Sequence, residues 1–379
     1  MKVSIIGQGY VGSALGHAVS NAGHTVVGVE TEKNRLNKIS TVFNYQVTDD
    51  YGRIKDSEIV VIAVPTPLDK SRNPDLTYLR SACASLKKIL TKGVLLVNES
   101  TSYPGTLRNV IAPLLGDLHR YASAPERIDP ANEKWGIRNT PRLIAGLTDD
   151  AKKDAIQFYR SFCDEVIGVS SPEVAEAAKL FENSFRQVNI ALVNEFAQIA
   201  HALGISSHET LNAAATKPFG FMTFLPSIGV GGHCIPVDPS YLSYAAEKAG
   251  VTASIINLAN RINAEMPNFV AKRILDLQGS LEGKTIQVAG IAYKPDVSDV
   301  RESPALNLIK QLRAMGAKVS WHDELVVEWN GETTTSISKV DFGIIATAHS
   351  GLDYSTWKND KTRVIDVSTT LSLGWPKFL

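Results

Sequence analysis

The chain has 379 residues, more than a single hydrophobic core usually serves, so two or three domains are expected. Lysine plus arginine equals aspartate plus glutamate at 39 each, which excludes a global field that would recruit nucleic acid or anionic lipid. The 3 cysteines make no disulfide framework and no Cys/His cluster, so neither bridges nor a metal site are expected.

In chain order, "KVSIIG" reads as an apolar strand and Tyr10 to Ala22 as a helix closed by Gly23; "TVVGVE" is a second strand. "EIVVIAV" and "GVLLVNES" continue the series, with helical segments between. This alternation points to a doubly wound parallel sheet. "MKVSIIGQGYVG" reads as no signal peptide, and no run reaches membrane-span length, so a cytoplasmic location is expected.

Around Ser170 the period changes. In "SSPE", Ser170 is placed to cap a helix, with Glu173 three residues on and Pro172 in the first turn. Apolar residues then recur at helical spacing through Val174, Ala178, Phe181, Phe185, Val188, Leu192, Phe196, Ile199 and Leu203, until Gly204 stops the pattern. Such a helix runs roughly 45 Å, long enough to span two domains or pair with a copy of itself. Two more helices come after it, through "DPSYLSYAAEKAG" and "SIINLANRINAEMPNFVAKRILDL". From Lys284, "KTIQVAGIAY", "AKVSWHD", "VDFGIIAT" and "TRVIDV" read as strands, with a helix near Pro304 to Met315. The expected architecture is α/β: two Rossmann-like parallel-sheet domains joined by an all-helical one. The expected domain limits are 1–169, 170–266 and 280–379.

Two constellations carry chemistry. "GQGYVG" sets Gly7, Gly9 and Gly12 in a G-x-G-x-x-G turn between a strand and a helix, where the helix N-terminus favours a pyrophosphate. Glu30 ends the next strand, where an acid binds a ribose 2′-hydroxyl and repels a 2′-phosphate, favouring NAD over NADP. Arg35 lies near enough to argue the other way. The alternative is a structural glycine turn that binds nothing.

The second is "SIGVGGHCIPVDPSYL". Gly231 and Gly232 would let the backbone approach a ligand, Pro236 and Pro239 stiffen the chain after the cysteine, and Asp238 lies four residues past Cys234. A populated thiolate needs positive potential nearby, which Lys179 could supply. Lys179 and Asn183 are four apart on one helix face expected to be partly buried, where a lysine should be paired or functional. A snorkelling lysine beside a core asparagine remains open. Cys83 and Cys163 read as buried small hydrophobes, and His233 as a residue that shapes the loop or touches substrate. Thr66, Thr101, Glu126 and Arg127 lie where strand ends would be; Glu126 could be a base or merely an ion-pair partner of Arg127.

The chain resembles the nucleotide-sugar (UDP-sugar) 6-dehydrogenase family over nearly its whole length. The motifs are "GQGYVG", "VPTP", "ESTSYPGT", "APERIDP", "AAKLFENSFRQVNIALVNE", "KPFGF", "GVGGHCIPVDP" and "AYKPDVSDVRESPA". The Lys-x-x-x-Asn pair alone is less specific, since single-step hydroxyacid dehydrogenases related to 6-phosphogluconate dehydrogenase carry a similar one. The resemblance implies a four-electron oxidation of a sugar C6 alcohol to a carboxylate with NAD as acceptor, through a thiohemiacetal and a thioester on Cys234. Lys179 would stabilise oxyanion charge, Asn183 and Asp238 would position water or the oxygen, Glu126 would assist proton transfer and Thr101 would hold the water. NAD contacts implied are the Gly7–Gly12 loop with Tyr10 and Val11, then Glu30, Arg35, Thr66, Thr101 and Arg301. UDP-sugar contacts implied are Arg127, Lys179, Asn183, the Phe224 to Gly231 stretch with Leu225 and Gly229, Tyr293 and Lys294. A homodimer through the long helix is implied as well.

"GGHC", "PER", "TSYPGT" and "AAATKPFGF" resemble the branch acting on UDP-N-acetylhexosamines. UDP-N-acetylglucosamine is favoured over UDP-glucose, with UDP-N-acetylmannosamine a third option. Three departures stand out: Ala124 replaces the usual serine before "PER", "IDVSTT" lacks an arginine expected near Ser368, and the segment between Asp323 and Val340 is short. A binding protein that has lost its chemistry is the reading from another class.

Overall fold

Eight strands form the first sheet: β1 (Lys2–Ile6), β2 (Thr25–Val29), β3 (Gln46–Thr48), β4 (Ile59–Ile62), β5 (Leu95–Asn98), β6 (Arg120–Ser123), β7 (Arg142–Gly146) and β8 (Val166–Gly168). Their order in this computed structural model is β3-β2-β1-β4-β5-β6-β7-β8, and every neighbouring pair is parallel except β6 with β7. The structure describes residues 1–129, 132, 134–359, 362–369 and 373–379. Pro130, the last residue of "APERIDP", thus lies outside the described residues.

Every residue of β4 and β5 is buried, as a parallel sheet covered on both faces requires. The crossovers carry α1 (Tyr10–Asn21), α2 (Lys33–Ile39), α3 (Thr77–Ile89), α4 (Ala112–Leu115) and α5 (Asp149–Tyr159). One core joins Val3, Ile5, Val61 and Val97 of the sheet to Leu15 and Val19 of α1 and Phe158 of α5. Cys83 and Cys163 are buried, and burial pushes their thiols up to about 12 and about 11, so both stay protonated packing residues.

The long helix α6 spans Pro172–Leu203. Its start differs from expectation: the hydroxyl facing the Val174 N–H is that of Ser171 (3.4 Å), and Glu173 bonds Arg108 (2.7 Å) rather than closing a capping box. The face carrying Lys179 and Asn183 is the inward one, as expected, and the apolar stripe is largely turned outward. Phe181, Leu192, Ile199 and Leu203 from the periodic apolar stripe are exposed, whereas Glu176, Lys179, Ser184, Gln187 and Asn194 are buried.

The chain divides into two units, Met1–Glu182 with Ser240–Thr252, and Asn183–Pro239 with Ala253–Leu379. After α6 come α7 (Ser207–Ala215), α8 (Asp238–Lys248) and α9 (Ser254–Gln278). Then β9 (Thr285–Ala289), α10 (Pro304–Ala314), β10 (Lys318–His322), the small antiparallel pair β11 (Glu328–Trp329) and β12 (Glu332–Thr333), β13 (Phe342–Ile345), α11 (Ser355–Asn359) and β14 (Arg363–Asp366) complete the chain. The second sheet is wholly parallel in the order β10-β9-β13-β14. Val270 and Ile274 of α9 and Leu308 and Leu312 of α10 share a core with Ile286, Val288 and Ile344 of this sheet. Among the described residues, no helix is long and apolar enough to cross a membrane, and no group of His, Cys, Asp and Glu could hold a metal ion.

Candidate active site

In the first unit, register aligns the strand ends. Ile6 pairs with Ile62, Ile62 with Asn98, and Asn98 with Ser123, so Gly7, Ala63, Glu99 and Ala124 succeed one another along one carboxyl edge. This is the edge where open α/β sheets bind ligands. Gly7 has φ +91, and a Cβ there would stand 2.5 Å from the Ala63 carbonyl oxygen; one at Gly12 would stand 1.9 Å from that of Gly7. The loop therefore tolerates no side chain at either position. The N-cap of α1 is Gly9, which offers no side-chain cap, so its first-turn N–H groups point at a ligand position. Glu30 is buried at the end of β2, accepting from Gln8 N–H (3.2 Å) and Glu32 N–H (2.9 Å), with Arg35 Nε 4.0 Å away. A tight turn, an uncapped helix start and an acid at the second strand end fit an NAD. Tyr10 is exposed beside that turn and Val11 half-buried; Thr66 is buried, its carbonyl accepting from Tyr241 Oη (3.0 Å).

Lys179 is buried on α6 and its Nζ donates to Thr101 Oγ1 at 2.6 Å. Glu126 is buried after β6; its carboxylate accepts from Ile128 N–H and its own N–H faces the Glu99 carbonyl at 3.5 Å. Arg127 forms a fork with Glu182 (2.9 and 2.5 Å) and donates to the Pro141 carbonyl (2.9 Å). Its partner is Glu182, not the adjacent Glu126.

The second unit holds the cysteine. The Cys234 carbonyl accepts from Val237 N–H (3.1 Å) and Asp238 N–H (2.8 Å), so Cys234 opens the turn that becomes α8. Asp238 is fully buried and its Oδ2 accepts from Asn183 Nδ2 at 2.7 Å. That bond ties α6 to the cysteine turn. Cβ atoms at Gly231 and Gly232 would stand 2.7 Å from Tyr293 Cβ and 2.6 Å from its ring, so both glycines permit a close approach to that residue. Gly232 N–H also donates to the Arg301 carbonyl (2.9 Å), and the Arg301 guanidinium forks onto Asp299 at 2.6 and 3.0 Å. Tyr293, Lys294, Phe224, Leu225, Gly229 and Gly231 are all partly buried, and Phe224 packs edge-on against Phe185. At the end of β14, where an arginine is missing, Lys377 Nζ reaches Asp366 Oδ2 (2.7 Å) and the Ser368 carbonyl (3.0 Å).

Two buried acids were given no role in the sequence reading, although Glu99 opens "ESTSYPGT". Glu99 accepts from Tyr159 Oη and lies 3.6 Å from Arg142, all three buried. Burial pushes its carboxyl up, against the pull of Arg142. The second is Glu176, on the inward side of α6. A charged residue inside an otherwise apolar strand or helix face was the available signal.

The model for the UDP-glucose/GDP-mannose dehydrogenase family matches in three parts: the NAD binding domain over residues 40–163, the central domain over 173–265 and the UDP binding domain over 287–372. The chain belongs to the UDP-glucose/GDP-mannose dehydrogenase family. It is an NAD-dependent oxidoreductase of that family. The dehydrogenase is 32% identical to a UDP-N-acetyl-D-mannosamine dehydrogenase of Pyrococcus horikoshii, over 95% of this chain and 92% of that one. It is 31% identical to a UDP-N-acetyl-D-glucosamine 6-dehydrogenase of Salmonella typhi, over 86% and 83%. The solved structure of the Pyrococcus horikoshii UDP-D-ManNAc dehydrogenase superposes with TM-score 0.89, covering 100% of this chain and 97% of that one at 30% identity.

Proposed function

We propose that this dehydrogenase oxidises the C6 alcohol of a UDP-N-acetylhexosamine to the carboxylate in two NAD-linked steps, with Cys234 as covalent nucleophile. The observation that carries this reading is the Asn183–Asp238 hydrogen bond, which fixes the turn opened by Cys234 to the helix that also carries Lys179. We assign NAD contacts to the Gly7–Gly12 turn, Glu30, Arg35, Thr66, Thr101 and Arg301; one NAD per step would supply the hydride acceptor.

The alcohol loses a proton and a hydride to give an aldehyde. The Cys234 sulfur then adds to its carbon, and the oxygen takes up the proton. Loss of a second hydride from carbon and of the hydroxyl proton leaves a thioester, and water releases the acid and regenerates the thiol. Lys179, whose ammonium already donates to Thr101, stabilises the charge that develops on the sugar oxygen. Asn183 and Asp238 orient that oxygen or the water, and Glu126 handles protons. We assign UDP-sugar contacts to Arg127, Phe224, Leu225, Gly229, Gly231, Tyr293 and Lys294, in a three-part division at 1–169, 170–266 and 280–379. UDP-N-acetylglucosamine is our first choice, with UDP-glucose and UDP-N-acetylmannosamine as the alternatives; relatives named for each of the two N-acetylhexosamines cover most of the chain. The exposed apolar side of α6 supports a homodimer.

The test is a panel of UDP-sugars assayed for NADH, with the product mass measured. Two NADH per acid is expected; one NADH per product supports a single-step dehydrogenase instead. Cys234→Ala is expected to cut acid formation by roughly a thousandfold or more, and a variant that only halves the rate would sink the thioester route. Tight UDP-sugar binding without any NADH would support the binding-protein reading.

A further inference from the structure

Glu176 lies on α6 three residues before Lys179 and is only 1% exposed. A buried carboxylate needs strong compensation, and its partners all come from one short segment. Its Oε2 accepts from Gly105 N–H at 2.7 Å; its Oε1 accepts from Leu107 N–H at 3.0 Å and from Ser102 Oγ at 3.3 Å. Ser102 is held in turn by Asn98 Nδ2 at the end of β5, at 3.3 Å. The residue beside Ser102 is Thr101, which accepts from Lys179. One side of α6 therefore grips the segment between β5 and α4 twice, through Glu176 and through Lys179.

We propose that Glu176 is a positioning residue that clamps the Ser100–Leu107 segment against α6, so that Thr101 stays in register with Lys179. This rests on the reading of Lys179 and Thr101 as part of the active site. The carboxylate form suits the task because both oxygens accept. Protonation makes one oxygen a poorer acceptor and adds an O–H donor facing amides that cannot accept, so at least one of the Gly105 and Leu107 contacts is weakened.

Burial pushes the Glu176 carboxyl up to about 7, while the Leu107 and Gly105 amides pull it down and Glu173 pushes it further up. The charged and titratable groups around it are Glu173, which is paired with Arg108 at 2.7 Å, then Arg108 itself, Tyr103 and Lys179. The clamp therefore tightens as pH rises through neutrality. Global stability moves the other way. A carboxyl raised above its ordinary value favours the folded state below that value, and the gain is lost as pH climbs to about 7.

The experiment is hydrogen exchange of the apoprotein across pH 5.5–8.5, read at Gly105 and Leu107 and corrected for intrinsic exchange, on the wild type and Glu176→Gln. Protection is expected to rise through about 7 in the wild type and to be flat in the variant. The stability difference, wild type minus variant, should fall over the same range. With substrate, the variant is expected to lose roughly 10- to 100-fold in kcat, to lose the acid limb near neutrality, and to couple non-additively with Thr101→Ala. Wild-type protection that ignores pH would overturn the clamp, and this arm needs no variant to fold. A wild-type pH profile in Glu176→Gln, with kcat reduced only in step with the folded fraction, would overturn it equally. Because exchange requires no turnover, a protein inactive on every UDP-sugar would defeat the functional reading and leave the clamp to be judged on its amides.

Discussion

The parallel stretch β2-β1-β4-β5 of the first sheet and the second sheet β10-β9-β13-β14 share a strand order and differ in the loop that leaves their first strand. After β1 only residues 7–9 intervene before α1 begins at Tyr10; after β9 residues 290–303 intervene before α10 begins at Pro304. The acids at the ends of the second strands differ in parallel. Glu30 accepts from two backbone amides and keeps Arg35 at a distance. Asp323 is fully buried and accepts from Ile291, Ala292, Leu325 and Val326 N–H at 2.8–3.0 Å, with His349 Nε2 at 3.1 Å. A short loop leaves the first acid facing ligand space. A long loop carrying Tyr293, Lys294 and Arg301 folds over the second strand end and saturates its acid. The same fold thus makes a dinucleotide cradle in one place and a scaffold for a long loop in the other.

Three substitutions sharpen or break this contrast. The largest effect belongs to Asp323→Asn, which removes an acceptor from several buried amides and should cost the second unit about 3 kcal/mol. Burial works against the charge of Asp323, yet His349 and the amides hold its carboxyl down to about 2. Its contribution is therefore complete above the ordinary carboxylate range and disappears as pH falls through about 2. Melting curves from pH 2 to 7 should converge with the variant's at the acid end. An unchanged melt at neutral pH would refute the scaffold role.

Glu30→Gln comes next. It should weaken NAD roughly tenfold, or about 1.4 kcal/mol, and narrow the preference over NADP, as titration calorimetry with both dinucleotides would reveal. A melt that collapses while NAD affinity holds would reverse the two roles. The smallest effect is Tyr45→Phe. Tyr45 Oη donates to Gln8 Oε1 at 2.7 Å, inside the glycine turn. Its loss should cost about 1 kcal/mol in a thermal melt and change NAD affinity less than Glu30→Gln does.

The four strands of the second sheet and the start of α10 at Pro304 were legible because each is an apolar run bounded by turn residues. So were β1, β2, β4 and β5. The short β3 and β8, at three residues each, carry too little pattern to register. β6 and β7 were missed too; they are the antiparallel exception, where the alternation expected of a doubly wound sheet gives no guidance. The length of α6 and the burial of its Lys179 face were legible, but the outward direction of its apolar stripe was not. Periodicity locates an apolar stripe, but it does not say whether that stripe meets its own fold or another surface. The Asn183–Asp238 bond joins residues far apart in sequence, and only folding brings them together. Likewise Gly231 and Gly232 advertised close packing without naming Tyr293 as the neighbour.

The inverted character of α6 sets an unusual pattern of mutational tolerance. On most surface helices, polar positions accept replacement and apolar ones resist it. Here the inward residues Glu176, Lys179, Gln187 and Asn194 each meet an assigned partner through Gly105, Thr101, Asn260 and Asn263. A slip of one residue along the helix would misalign all four at once. Those partners set the register of α6, leaving its apolar outer side free to vary with whatever surface it meets.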